Sequence, residues 1–151
     1  MATILEQIKN LEKLSEAEII KQLFIAVKKA EVEFIKFNEI QLDKGENALK
    51  EEVGRYAKST KGYADYENID ERKTFDTPYN FQWFGTFRKG FSLTVSGEEA
   101  TIFSTGIGTG GKADFLTTNN LFGLNDENLS KVIKDEILPF IHNFARTTLK
   151  L

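Results

Sequence analysis

The chain is 151 residues long and carries 20 basic and 23 acidic side chains for a formal net charge of −3, the size of one domain with no cationic excess for a polyanion. Both signs of charge are mixed along it, so direct nucleic acid binding is not expected. The absence of cysteine excludes disulfides, thiolate nucleophiles and cysteine-ligated zinc, and no apolar run approaches a membrane span.

Ile4, Leu5, Ile8, Leu11 and Leu14 recur at spacings of three and four and predict a short amphipathic helix. Glu6 and Glu12 interrupt the apolar run that a secretory signal needs, so a soluble, unprocessed chain is expected. Ser15, three residues before Glu18, has the spacing of a capping box, and Ile19, Leu23, Ala26, Val27, Ala30, Phe34 and Phe37 carry one long helical stripe to about residue 38. Beyond it, "QLDKGENALKEEVGRYAKST" mixes turn residues with a short helix expected over 47–57, and the stretch to Asp76 is polar without a period.

Residues 75–91 hold seven aromatics, Phe75, Tyr79, Phe81, Trp83, Phe84, Phe87 and Phe91, in a chain with 13 Phe, 4 Tyr and 1 Trp. Most are expected to fill the core where the long helix meets the sheet. Trp83 and Phe84, followed by the turn-like Gly85 and Thr86, are the rings best placed to face a partner. Phe91, Leu93 and Val95 then alternate with Ser92, Thr94 and Ser96, and "SGEEA" supplies a turn before "TIFS", which predicts a β-hairpin over residues 90–104. Near the C-terminus, Asn125 or Asp126 is the expected cap of a helix through Leu129, Val132, Ile133, Ile137, Phe140, Ile141 and Phe144, with Pro139 expected to kink or interrupt it.

This order predicts an α+β fold of N-terminal helices, a small antiparallel β-sheet and a C-terminal helix. A single domain, 1–151, divides into a helical segment 1–38, an irregular connection 39–78, an aromatic-rich sheet region with a Gly-rich loop 79–122, and a C-terminal helix 123–151.

The stretch "STGIGTGGKA" fits two phosphate-binding spacings, one through Gly106, Gly111 and Lys112, the other through Gly106, Gly108 and Gly111. A phosphate loop also needs a hydroxyl after the lysine for magnesium and a helix whose amides face the anion. Ala113 stands at the hydroxyl position, and "ADFLTTNNLFG" lacks the period of a long helix, so nucleotide binding by the Gly106–Lys112 loop is only an alternative reading, as enzyme or switch. His142 is the single histidine and is expected to be partly buried or at the surface. The carboxylate pairs Glu51 and Glu52, Asp70 and Glu71, Glu98 and Glu99, and Asp135 and Glu136 read as solvated charges. No catalytic, cofactor-binding or metal-ligating residue is assigned, and a non-enzymatic role is expected.

The segments "NEIQLDKGENALKEEVGRYAKST", "PYNFQWFGTFRKGFSLTV", "TIFST" and "LFGLNDENLSKVI" follow one another in an order that resembles the tail-completion and virion-morphogenesis proteins of tailed bacteriophages and prophages, over roughly residues 38–140. Tyr56, Ser59 and Thr60 match a Tyr and a Ser-Thr pair downstream of the family's N-terminal helix. "FGTFRKGF" matches its Thr-Gly signature with Gly85 and Thr86 in reverse order, and "FGLNDENL" matches the segment opening its last helix, with Asp126, Glu127 and Asn128 at the start. The resemblance implies a virion component made in the host cytoplasm. Such a subunit acts at the head-tail junction or the tail end, without a cofactor or a membrane. Its partners would be copies of itself, with a ring as one form, and other phage connector or tail proteins. Interface candidates are Trp83, Phe84, Thr86, Phe87, Arg88 and Lys89. A small bacterial adaptor domain unrelated to phages is the remaining alternative.

Overall fold

A computed structural model describes residues 3–59, 76–81, 86–97, 99–107 and 111–150. The first helix, α1 (Ile4–Glu12), opens with a full capping box: Thr3 Oγ1 accepts the Glu6 N–H while the Glu6 carboxylate accepts the Thr3 N–H at 2.8 Å. Ser15 caps α2 (Glu16–Lys29) as its position predicts, but Glu18 turns outward to accept from Gln22 instead of reaching back.

The single long helix expected to residue 38 is two helices. α2 ends at Ala30, whose ψ of 7° leaves the helical range, and α3 runs from Glu31 to Asp43. Neither Gly nor Pro marks the break, and its partner is a strand. Glu31 accepts the Leu93 N–H at 2.8 Å and Lys28 donates to the Leu93 carbonyl at 2.6 Å, while the two side chains pair with each other at 2.7 Å. Two charged groups astride the break thus satisfy an outward-facing N–H and C=O on the strand edge.

α3 reaches five residues past the expected end, and the helix expected over 47–57 is not formed. Gly45 (φ 75°), Lys50 (φ 63°) and Gly54 (φ 150°) lie on the positive-φ side, which no helix tolerates. The chain folds back there, with Val53 N–H on the Gly45 carbonyl, and pairs with 76–79 through Tyr56 N–H to Thr77, Asp76 N–H to Tyr56 and Tyr79 N–H to Gly54. The described ends of the expected irregular connection are therefore joined as a short antiparallel pair.

A one-turn helix, α4 (Thr86–Lys89), leads into the expected hairpin of β1 (Phe91–Ser96) and β2 (Glu99–Ser104), paired antiparallel with Leu93 opposite Ile102. Gly97, at φ 59°, turns it. A helix, α5 (Gly111–Thr118), follows the Gly-rich loop where the weak period predicts none. Asn125 caps α6 (Asp126–Val132), accepting the Asn128 N–H at 3.0 Å. The interruption expected at Pro139 takes the form of a π turn over Ile133–Ile137, after which α7 (Leu138–Leu149) begins with the proline in its first turn. A proline lacks the N–H that the preceding turn would otherwise use, and a widened turn is one way to absorb that. The result is α+β, helices at both ends and a two-stranded antiparallel sheet between them.

Two apolar clusters form the core. Ala26, Ala30, Phe34, Leu93, Ile102, Val132 and Ile137 join α2, α3, the hairpin and the C-terminal helices. Leu42, Phe87, Phe91, Leu116 and Leu121 join the end of α3 to α4 and α5, and Phe122 packs against both. Between them lies a buried amide network. Asn38 and Gln41, one turn apart on α3, both donate to the Gly123 carbonyl at 3.1 Å, and Asn38 also donates to Leu121 at 2.9 Å. Gln41 Oε1 accepts the Asn125 N–H at 2.8 Å and the Asn128 amide at 2.9 Å.

Replacing Gln41 with Leu strands those two buried donors, and the variant is expected to lose about 3 kcal/mol in urea unfolding, with the m-value unchanged. A loss under about 0.5 kcal/mol would show that the network is not needed. Lys28, then the Leu93 N–H, hold the Glu31 carboxyl below its ordinary value of 4.5. Because the folded value is the lower one, this stabilisation is present above the unfolded value and is lost as pH falls through the folded one. A pH series of melts should therefore show Glu31→Gln losing less stability than wild type as the solution is acidified from about pH 5.

Candidate functional site

The paired segments 53–56 and 76–81, with α4 and α5, enclose an aromatic pocket of about 270 Å³ lined by Tyr56, Tyr79, Phe81, Thr86, Phe87, Phe115 and Leu116. Its rings meet edge to face: Tyr56 and Tyr79 at 4.8 Å between centroids, Tyr79 and Phe115 at 6.0 Å. Gly54 makes room for Tyr79, since a Cβ there would lie 2.7 Å from the ring. The Tyr56 hydroxyl donates to Asn80 Oδ1 at 2.9 Å and accepts the Asn80 N–H at 3.3 Å, and burial pushes its phenol above the usual range. Arg88 braces the wall by donating to the Asn80 carbonyl and, at 2.8 Å, to Asp43 at the end of α3. This lining of hydrocarbon, ring edges and phenol suits an apolar or aromatic group.

Of the interface candidates, Thr86 and Phe87 line this pocket, and Arg88 supports it. Phe87 and Arg88 are 6 % and 8 % exposed, so both face the interior, whereas Thr86 and Lys89 are exposed. Trp83 and Phe84 lie outside the described residues, as does Thr60; Tyr56 is in the pocket wall and Ser59 is exposed. Phe115 was not singled out by the sequence, and its only signal was an apolar pair, Phe115 and Leu116, in a segment of weak period.

Gly106 has a packing reason. A Cβ at this position would sit 2.1 Å from the Thr86 carbonyl oxygen, and one at Gly90 would sit 2.7 Å from the Gly106 nitrogen. The two glycines let the turn after β2 lie against α4, where Ser104 Oγ donates to the Phe87 carbonyl and accepts the Gly106 N–H at 3.0 Å. Residues 108–110 and the side chains of 111–113 lie outside the described residues. Among the described residues no group of three or more His, Asp or Glu is placed to hold a metal ion. His142 is exposed on α7, and Glu51, Glu52, Glu99, Asp135 and Glu136 are exposed, Glu52 forking onto Arg55 with two contacts of 2.8 Å. Asp70, Glu71 and Glu98 lie outside the described residues.

A second candidate surface is an exposed apolar helix face. The apolar stripe of α1, Ile4, Leu5, Ile8 and Leu11, is 50–77 % exposed, while Asn10 on the opposite side is 4 % exposed. α1 lies on α7 and meets the body with its polar side. Ile19, Leu23 and Ile25 of α2 add further exposed apolar area. Contiguous apolar patches beyond a few hundred Å² mark contact sites on soluble chains. No helix of the described residues is long and apolar enough to cross a membrane.

Gly106→Ala should force α4 away from the hairpin and destabilise the fold by about 2 kcal/mol or more, lowering the melting temperature by roughly 4–8 °C. An unchanged melt would mean that the Thr86–Gly106 approach relaxes freely. Compared with protein-family models, curated proteins and solved structures, the chain matches none.

Proposed function

We propose that this chain is a non-enzymatic structural subunit of tailed-phage or prophage virion morphogenesis. It works at the head-tail junction or the tail end by associating with copies of itself and with adjacent connector or tail proteins. The observation that carries the associative part is the outward apolar stripe of α1. Each large aliphatic side chain contributes roughly 1.5–3 kcal/mol when fully removed from water, and four of them on one short helix are held against that gain. The resemblance over residues 38–140 supplies the virion setting, and with it a location in the particle after assembly in the host cytoplasm.

The test is the mass in solution over a wide concentration range, by light scattering and native mass spectrometry, with electron microscopy of any large species. Assembly that grows with concentration, closed rings among its products, is the expected result. A monomer at every concentration reached would overturn self-association.

A further inference from the structure

The α1 stripe has a complementary seat elsewhere on the same chain. α2 presses Ala26 and Val27 on the core, while Ile20, Phe24 and Ile25 line a groove of about 500 Å³ bordered on its other side by Val95 and Gly97 of the hairpin. Ile25 stands among Lys21, Lys28 and Lys29 on the charged side of the helix and is 38 % exposed, and a Cβ at Gly97 would meet nothing within 4 Å. The groove follows α2 from Ala17 to Lys28, roughly 16 Å at 1.5 Å per residue, and α1 with nine residues is about 13 Å long. The chain's own α1 does not fill it, because that helix rests on α7 with its stripe turned outward.

We propose that α1 of one copy docks in the α2–β1 groove of a second copy, so that subunits join head to tail. This rests on the assembly reading above and names its joint. Charge selects a second copy as the occupant. Lys21 stands at the groove rim, 66 % exposed, with Glu18 at 3.6 Å as its ion-pair partner. Glu12 lies on the stripe's own face, one turn beyond Ile8, and is exposed. Laid antiparallel to α2, an incoming α1 brings Glu12 to Lys21 and carries Ile8 and Ile4 toward Phe24 and Lys28. A joint between unlike surfaces propagates, closing into a ring where the rotation permits.

Two exposed positions test it without touching the core. Ile8→Asp removes the donor and Ile25→Asp the acceptor, with circular dichroism melts confirming that both fold. Each variant alone is expected to be monomeric where wild type assembles. An equimolar mixture should give a heterodimer, because the Ile25→Asp chain keeps an intact α1 and the Ile8→Asp chain keeps an intact groove. Lys21→Glu should weaken assembly, and Lys21→Glu combined with Glu12→Lys should restore it. If wild type assembles and either aspartate variant assembles equally well alone, or the mixture yields no heterodimer, the joint is overturned while the assembly reading stands. A wild-type chain that never leaves the monomer overturns both.

Discussion

The fold turns on two amides of α3. Asn38 and Gln41 are buried on a helix whose other inward residues, Phe34 and Leu42, belong to different apolar clusters. Their side chains do for 121–128 what a neighbouring strand would do, accepting and donating along an irregular backbone. A segment without secondary structure can be buried only if its polar groups are paired. Here that pairing lets Leu121 be fully buried and places Phe122 between the clusters. It also sets the start of α6, since Asn125, which caps that helix, has its own N–H on Gln41. Position and direction of the C-terminal helices therefore follow from side chains more than eighty residues earlier in the chain.

Glu31 and Lys28 act by the same logic on the strand. A two-stranded sheet has two outer edges, and the one on β1 is answered at Leu93 by charged groups from the helices that pack on it. The helical break at Ala30 is what brings both side chains into reach. α2 can then press Ala26 and Val27 on the core while α3 follows the sheet toward the second cluster.

What the body leaves uncovered is as informative as what it buries. α1 sits on α7 by a polar side, with Asn10 Oδ1 held by Lys13 at 3.2 Å, and turns its best apolar surface to solvent. In a finished structure an amphipathic helix has the opposite orientation. The aromatic pocket differs in kind: its rings already satisfy one another, and its braces, Arg88 and the Tyr56–Asn80 pair, are buried polar contacts that fix its shape. The helical face is apolar and open to solvent, and the pocket is a packed wall with space for one apolar group.

Local signals in the chain settle much of this. Alternation over Phe91–Val95 with Gly97 at the turn defines the hairpin, Ser15 and Asn125 define two helix starts, and the period of 4, 5, 8 and 11 defines α1, because each rests on contacts within a few residues. Phe91 is buried as the density of rings around it predicts, and Phe87, named as an interface candidate, is buried with it. Other features were invisible because their causes are distant in sequence. The break at Ala30 answers to Leu93, the glycine at 106 to the Thr86 carbonyl, and the paired course of 44–56 to Pro78 and Tyr79, which fill the space beside Gly45 and Gly54. The pocket was not legible as such: Thr86 and Phe87 were singled out as interface residues, and they meet Tyr79 and Phe115 around one space only through the fold. The sequence by itself determined the hairpin, the starts of α2 and α6, and that α1 has an apolar face. Only the tertiary structure decided which way that face points, because orientation depends on packing against α7, which is distant in sequence and meets α1 on the side of its own Asn10.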